Sequence, residues 1–172
     1  YCYLNAAAIA AQAARHAGAA RVAILDIDYH HGNGTQDTFW DRGDVFYASV
    51  HADPATDYPF YWGHADERGA GDGLGATLNL PLAQGATLDT FRLAQDQALA
   101  AIAAFGPDML IVSFGADTWD GDPISHFKLT TADYAVLGRD IAASGLPTVL
   151  LMEGGYAIPA LGANLASFLS GF

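Results

Sequence analysis

The stretch DIDYHHGNGT, residues 26–35, sets Asp26, Asp28, His30 and His31 within six positions, directly after the apolar run RVAIL. Asp28 and His30 stand two apart, so in an extended segment their side chains project to the same side. A carboxylate oxygen and an imidazole nitrogen brought together in this way can grip one metal ion. A third ligand from a neighbouring strand, with Asp117 of GADTWDGD the best placed, leaves coordination positions open for water and substrate, as a catalytic metal requires. The set Asp-His-Asp offers no thiolate, so it suits zinc and equally Fe2+, Mn2+ or Co2+. Downstream, EGGY carries Tyr156, whose phenol has one donor proton to polarise a carbonyl opposite a metal. Each piece also has an ordinary reading. Asp-x-Asp is common at strand ends, and His31 reads as a packed or solvent-facing histidine. The glycines of GNG read as a turn with positive φ rather than a phosphate loop, and those of EGGY as a backbone bend.

These residues follow apolar runs of strand length. Such runs recur at 21–27, 45–50, 108–114 and 147–152, with TLNLPL at 77–82 as a further short strand. Their unbroken hydrophobicity predicts strands covered on both faces. Helical patterns lie between them at 5–16, 35–42, 87–105, 130–144 and about 158–170. Thr87 is the expected N-cap of the third and Thr130 or Thr131 of the fourth. The alternation predicts an α/β fold, an open and mostly parallel sheet with helices on both faces, in one partial catalytic domain over residues 1–172. Ligands bind beyond the carboxyl ends of such strands. There the chain places Asp26 to His31, His51 and Asp53, Asp117 to Asp122, and Glu153 to Tyr156. The segment 51–76, rich in Gly, Pro, Asp and aromatics, is the one long irregular stretch, and a loop of that length in a compact domain is usually functional or disordered.

Composition narrows the partners. With 7 Lys+Arg against 19 Asp+Glu, the net charge of -12 repels nucleic acid and favours cationic ligands. No apolar run reaches the roughly 18 residues of a membrane span, and the opening YCYLNAAAIAAQAARH reads as an Ala-rich helix rather than a secretory signal. The lone Cys2 permits no internal disulfide, which suits a reducing cytoplasm.

Taken together, YCYLN, DIDYHHGNGT, SFGADTWDGDP and EGGY, in this order and spacing, resemble the histone deacetylase superfamily, and within it the bacterial acetylpolyamine amidohydrolases. FWDRGDVFYASVHADP, DPISHFKLT and AASGLPTVLLMEGGY extend the likeness over essentially the whole chain. The resemblance implies an arginase/deacetylase-like fold with Asp28, His30 and Asp117 as zinc ligands and Tyr156 as the catalytic donor to the scissile carbonyl and its oxyanion. It implies that Asp26 is a buried acid behind a histidine of the general acid/base pair. With Ser49 and the backbone carbonyls of Asp28 and His30, Asp26 would also hold a structural potassium ion. Asn33 matches the position supporting the second histidine, where histone-directed class I members carry Asp; Tyr1, Tyr58 and Gly154 match the walls of a narrow substrate tunnel. The implied reaction is hydrolysis of an N-acetyl amide of a polyamine or similar small cationic amine, by attack of a metal-bound water.

The family's general base lies in a Gly-His-His motif upstream of YCYLN, whereas His30 and His31 are the only adjacent histidines here. The chain is therefore expected to be the C-terminal half of a longer cytoplasmic protein, homodimeric when complete, and inactive by itself. Other readings stay open at this level. One is a class II protein deacetylase acting on acetyl-lysine, and another an inactive metal-binding domain. A haloacid-dehalogenase-type phosphotransferase also begins with Asp-x-Asp, but it wants Thr or Val at position 30 and a downstream lysine, where Lys128 is the chain's only one. A two-metal ureohydrolase needs the more closely spaced acids that DTWDGD superficially offers.

Overall fold

A computed structural model describes residues 3–172, so the tunnel residue expected at Tyr1 lies outside the described part. Apolar runs of five to eight residues form β1 (Val22–Asp26), β2 (Val45–Ala52), β3 (Thr77–Leu82), β4 (Met109–Phe114) and β5 (Thr148–Met152). The helices are α1 (Ala6–His16), α2 (Asn33–Thr38), α3 (Leu88–Phe105), α4 (Thr131–Ala142) and α5 (Ile158–Leu169). All strands are parallel, in the order β3-β2-β1-β4-β5. From β1 the chain winds one way through β2 to β3, then crosses back to lay β4 on the other side of β1. That reversal makes the β1–β4 boundary the topological switch point, where an open α/β sheet leaves a crevice for ligands.

Side-chain alternation divides β1 between two cores. Ala23 and Leu25 pack with Phe46, Val112 and the α3, α4 and α5 side chains, whereas Val22 and Ile24 pack on the other face with Ala7, Ala11 and Tyr47. Helix signals work locally. The Asn5 side chain accepts from Ala8 N at 2.8 Å to open α1, and the left-handed Gly106 (φ +66°) ends α3. At α4, Thr130 N donates to the Asp133 carboxylate at 2.7 Å. Thr87 stands at the α3 N-cap but makes no side-chain capping bond.

One expectation shifts. The second helix runs over Asn33–Thr38 and relaxes into turns before Arg42, so it is shorter and earlier than its pattern over 35–42 suggested. Among the described residues β5 has a hydrogen-bonded neighbour only in β4.

Candidate metal centre

β1 ends at Asp26 and the chain bends rather than continuing extended, so side-chain alternation is not what aims Asp28 and His30 together. Their convergence comes from carboxylates folding back on the backbone two residues on. Asp28 N donates to Asp26 Oδ1 (3.1 Å), and His30 N donates to Asp28 Oδ1 (2.8 Å). Across the switch point, a single 3-10 turn over Ala116–Thr118 presents Asp117 just after β4. Tyr29 N donates to Asp117 Oδ1 at 3.0 Å, which turns Oδ2 toward His30 Nδ1, 3.1 Å away. One ligand atom from each of Asp28, His30 and Asp117 then lies within 4.8 Å of the other two, the one such cluster among the described residues.

The donor set fits a divalent cation. Asp28 and Asp117 are both buried, so water does little to offset their mutual repulsion. Burial first, and then the charge of Asp28, pushes the Asp117 carboxyl up despite the pull of His30. Burial opposes a charged His30, but its hydrogen bonds with Asp117 and Asp28 and their charges prevail and raise it to about 10. A cation between the three would relieve this excess of negative charge. Two glycines keep the space clear: a Cβ on Gly154 would stand 2.3 Å from Asp117 Oδ2 and 2.5 Å from Asp28 Oδ2. On Gly115 it would stand 2.4 Å from Asp28 Oδ2.

Asp26 is buried behind the ligands and accepts from the Tyr47 hydroxyl at 3.0 Å; burial, then Asp28, drives its carboxyl well up. Ser49 is its register partner on β2, but the Ser49 hydroxyl is bonded to His51 Nδ1 at 2.8 Å. The expected positive-φ turn at GNG is not present. Gly32 has φ -79°, and its lack of a side chain matters because a Cβ would meet Asp26 Oδ2 at 2.5 Å and the Tyr47 hydroxyl at 2.7 Å. His31 is a buried, packed residue bonded through Nε2 to Gln36 Oε1 (3.1 Å), and burial lowers it to about 4.

A cavity of about 480 Å³ opens over these groups, lined by Asp28, His30, Asn33, Tyr58, Glu153, Gly154 and Tyr156 among others. Asn33 is exposed at its rim. The Tyr58 ring meets His30 edge-on at 6.3 Å between centroids, and Tyr156 is 44% exposed. Gly154 N donates to Asp28 Oδ2 at 2.7 Å, which ties the Tyr156 loop to a candidate metal ligand. The long loop after β2 is fastened from below. The Tyr29 hydroxyl donates to Asp57 at 2.6 Å, His51 Nε2 to the Gly63 carbonyl at 2.9 Å, and Gly63 N to Glu67 at 2.9 Å. Asp57, Glu67, Gln36 and Asn79 were not singled out from sequence; the bonds that join Asn79 to Gln36 and to Glu67, and Tyr29 to Asp57, span 12 to 43 residues, beyond any local pattern.

Fold and site together define an α/β domain with three thiolate-free side chains, Asp28, His30 and Asp117, placed to hold a metal ion at its switch point. Comparison with known proteins makes the assignment: the histone deacetylase domain family matches residues 1–172, and the chain belongs to that family. It is 54% identical over 172 residues to acetylpolyamine amidohydrolase 1 of Pseudomonas aeruginosa, and 52% identical over 171 residues to the acetylpolyamine amidohydrolase of Mycoplana ramosa. These matches cover 100% and 99% of the chain, which spans about half (50%) the length of each relative. The crystal structure of an acetylpolyamine aminohydrolase from Burkholderia pseudomallei superposes with a TM-score of 0.97 at 50% identity, over 99% of this chain and 50% of that one. An HDAC homologue from Aquifex aeolicus gives 0.93 at 31% identity, over 99% and 47%.

Proposed function

We propose that this chain is the metal-binding half of a deacetylase that hydrolyses N-acetyl amides of polyamines or similar small cationic amines. The observation that carries the reading is the convergence of Asp28, His30 and Asp117, the first two of which line one cavity together with Tyr156. The substrate class is supported by relatives named acetylpolyamine amidohydrolases at 50–54% identity and by the net charge of -12.

Asp28, His30 and Asp117 would hold the divalent metal, with zinc first and Fe2+, Co2+ or Mn2+ compatible with the same donors. When bound, such an ion supplies Lewis acidity to a carbonyl oxygen and lowers the pKa of water. The remaining work falls to the chain. Tyr156 donates a hydrogen bond to the acyl oxygen as negative charge develops there. Gly154, with no side chain, keeps the floor open, and the Tyr58 ring and Gly154 line the path of the amine. Asp26 would hold the imidazole of an acid/base histidine and, with Ser49 and the carbonyls of Asp28 and His30, a structural potassium ion; Asn33 would support the second histidine. By resemblance the proton passes through a tandem-histidine segment that these 172 residues do not contain, in a cytoplasmic protein that pairs as a homodimer.

The test is hydrolysis of acetylputrescine and of an acetyl-lysine peptide by this chain and by a form extended upstream, with zinc quantified in each. Activity on acetylputrescine only in the extended, zinc-loaded form is expected. Preference for the peptide would turn the reading toward a protein deacetylase, and absence of hydrolysis by a zinc-loaded extended form would overturn it.

A further inference from the structure

Asp122 closes the GADTWDGD turn five residues beyond Asp117, and it is buried to 7% exposure although it belongs to no cluster of metal-binding groups. One of its oxygens, Oδ2, accepts from two consecutive backbone amides on the opposite loop, Tyr156 N at 2.7 Å and Ala157 N at 3.2 Å. The other, Oδ1, accepts from Ile124 N at 3.1 Å and so fixes the carboxylate within its own turn. Ala157 is the N-cap of α5 and has no side chain to cap the helix, so a carboxylate from elsewhere supplies the acceptor and suits the positive end of the helix dipole.

The chain around Tyr156 makes a local bond from Ile158 N to the Tyr156 carbonyl at 3.0 Å and follows Gly155, which sits in the glycine-favouring region at φ +140°; Tyr156 is nearly half exposed. Its loop is held on one side at Gly154, whose N–H donates to Asp28 and whose carbonyl accepts from Ala116 N at 2.8 Å. On the other side it is held by Asp122.

We infer that Asp122 is a positioning residue for Tyr156: it grips the backbone of Tyr156 and Ala157 so that the phenol stays over the metal ligands. This rests on the role proposed above for Tyr156. Asp122 touches no reacting atom; it acts through the residue it holds, and it couples the loop carrying Asp117 to the loop carrying the phenol.

A double-mutant cycle in the extended, zinc-loaded form tests it. Asp122→Ala removes acceptors that are charged and buried, so kcat should fall roughly tenfold to a hundredfold while KM stays within about twofold. Zinc stoichiometry should not change, and the amides of Tyr156 and Ala157 should exchange hydrogen faster. Asp122→Asn keeps one oxygen for those amides and should recover most of the rate. In a Tyr156→Phe background, Asp122→Ala should cost less than about twofold, because there is no longer a phenol hydroxyl to place. An equal loss of rate in both backgrounds, a loss of zinc in parallel with rate, or an Asn variant as slow as the Ala variant would each overturn the inference. If the wild-type extended form hydrolyses neither substrate, the functional reading fails by itself. Exchange at Tyr156 and Ala157 in Asp122→Asn and Asp122→Ala then decides the anchoring, and unchanged exchange overturns it.

Discussion

Residues 26–33 and residues 153–157 meet at the same cavity but are held there in different proportions by local and distant bonds. The first segment adds bonds of its own, Asp26 to the amide of Asp28 and Asp28 to that of His30, with Gly32 closing against Asp26, to its distant ties with Asp117 and Tyr47. Its two acids are at most 8% exposed. The second segment is half open to solvent and depends on residues distant in sequence, Asp28 for Gly154, Ala116 for the Gly154 carbonyl and Asp122 for Tyr156. Local bonds and burial together fix the candidate ligands Asp28 and His30. A loop held by borrowed contacts makes the phenol the adjustable half of the site.

The largest effect that separates the two halves is expected from Tyr156→Phe. Losing one oxyanion donor costs about 3–4 kcal/mol, so turnover of the extended enzyme should fall roughly 10²–10³-fold in steady-state assays, with zinc affinity unchanged. A parallel loss of zinc would erase the separation. Gly154→Ala crosses the boundary in the other direction, because its Cβ would press on Asp117 Oδ2 and Asp28 Oδ2. Asp117 is fully buried and cannot retreat, so overpacking of about 1–3 kcal/mol should weaken zinc binding roughly tenfold or more by calorimetry. Unchanged affinity would show that the loop yields instead. The smallest effect concerns the polar layer under the first segment. Burial, and then His31, lowers His51 to about 3, below its ordinary 6.5. The folded state therefore disfavours its proton, so His51 contributes stability fully above pH 6.5 and loses it as pH falls from 6.5 toward about 3. Urea melts across that range should show stability falling with acid, and His51→Gln should flatten the slope by up to one proton per chain.

Much of this arrangement was legible in the sequence, for reasons that also mark the limit. The five strands are apolar runs bounded by turn residues, and the candidate ligands that the fold brings together sit directly after β1 and β4, so reading strand ends was enough to single them out. The cause of convergence was misread: Asp28 and His30 meet through carboxylate-to-amide bonds in a bend, not through strand alternation. The glycine of GNG was assigned a backbone role when its role is steric, since only the fold brings Tyr47 and Asp26 to it. Asp122 stood in plain view as the third acid of DTWDGD, and its Asp-Pro step signalled a turn. Its partners are 34 and 35 residues further on, a distance that no local pattern spans.

The central claim is that Asp28, His30 and Asp117 form one metal site, and titration of the metal-free chain with zinc, followed by calorimetry and elemental analysis, tests it most directly. The account predicts one zinc per chain, with binding lost by orders of magnitude in Asp28→Ala and in Asp117→Ala, whose folds are checked by circular dichroism. Two ions per chain, or one ion bound equally well by both variants, would contradict it.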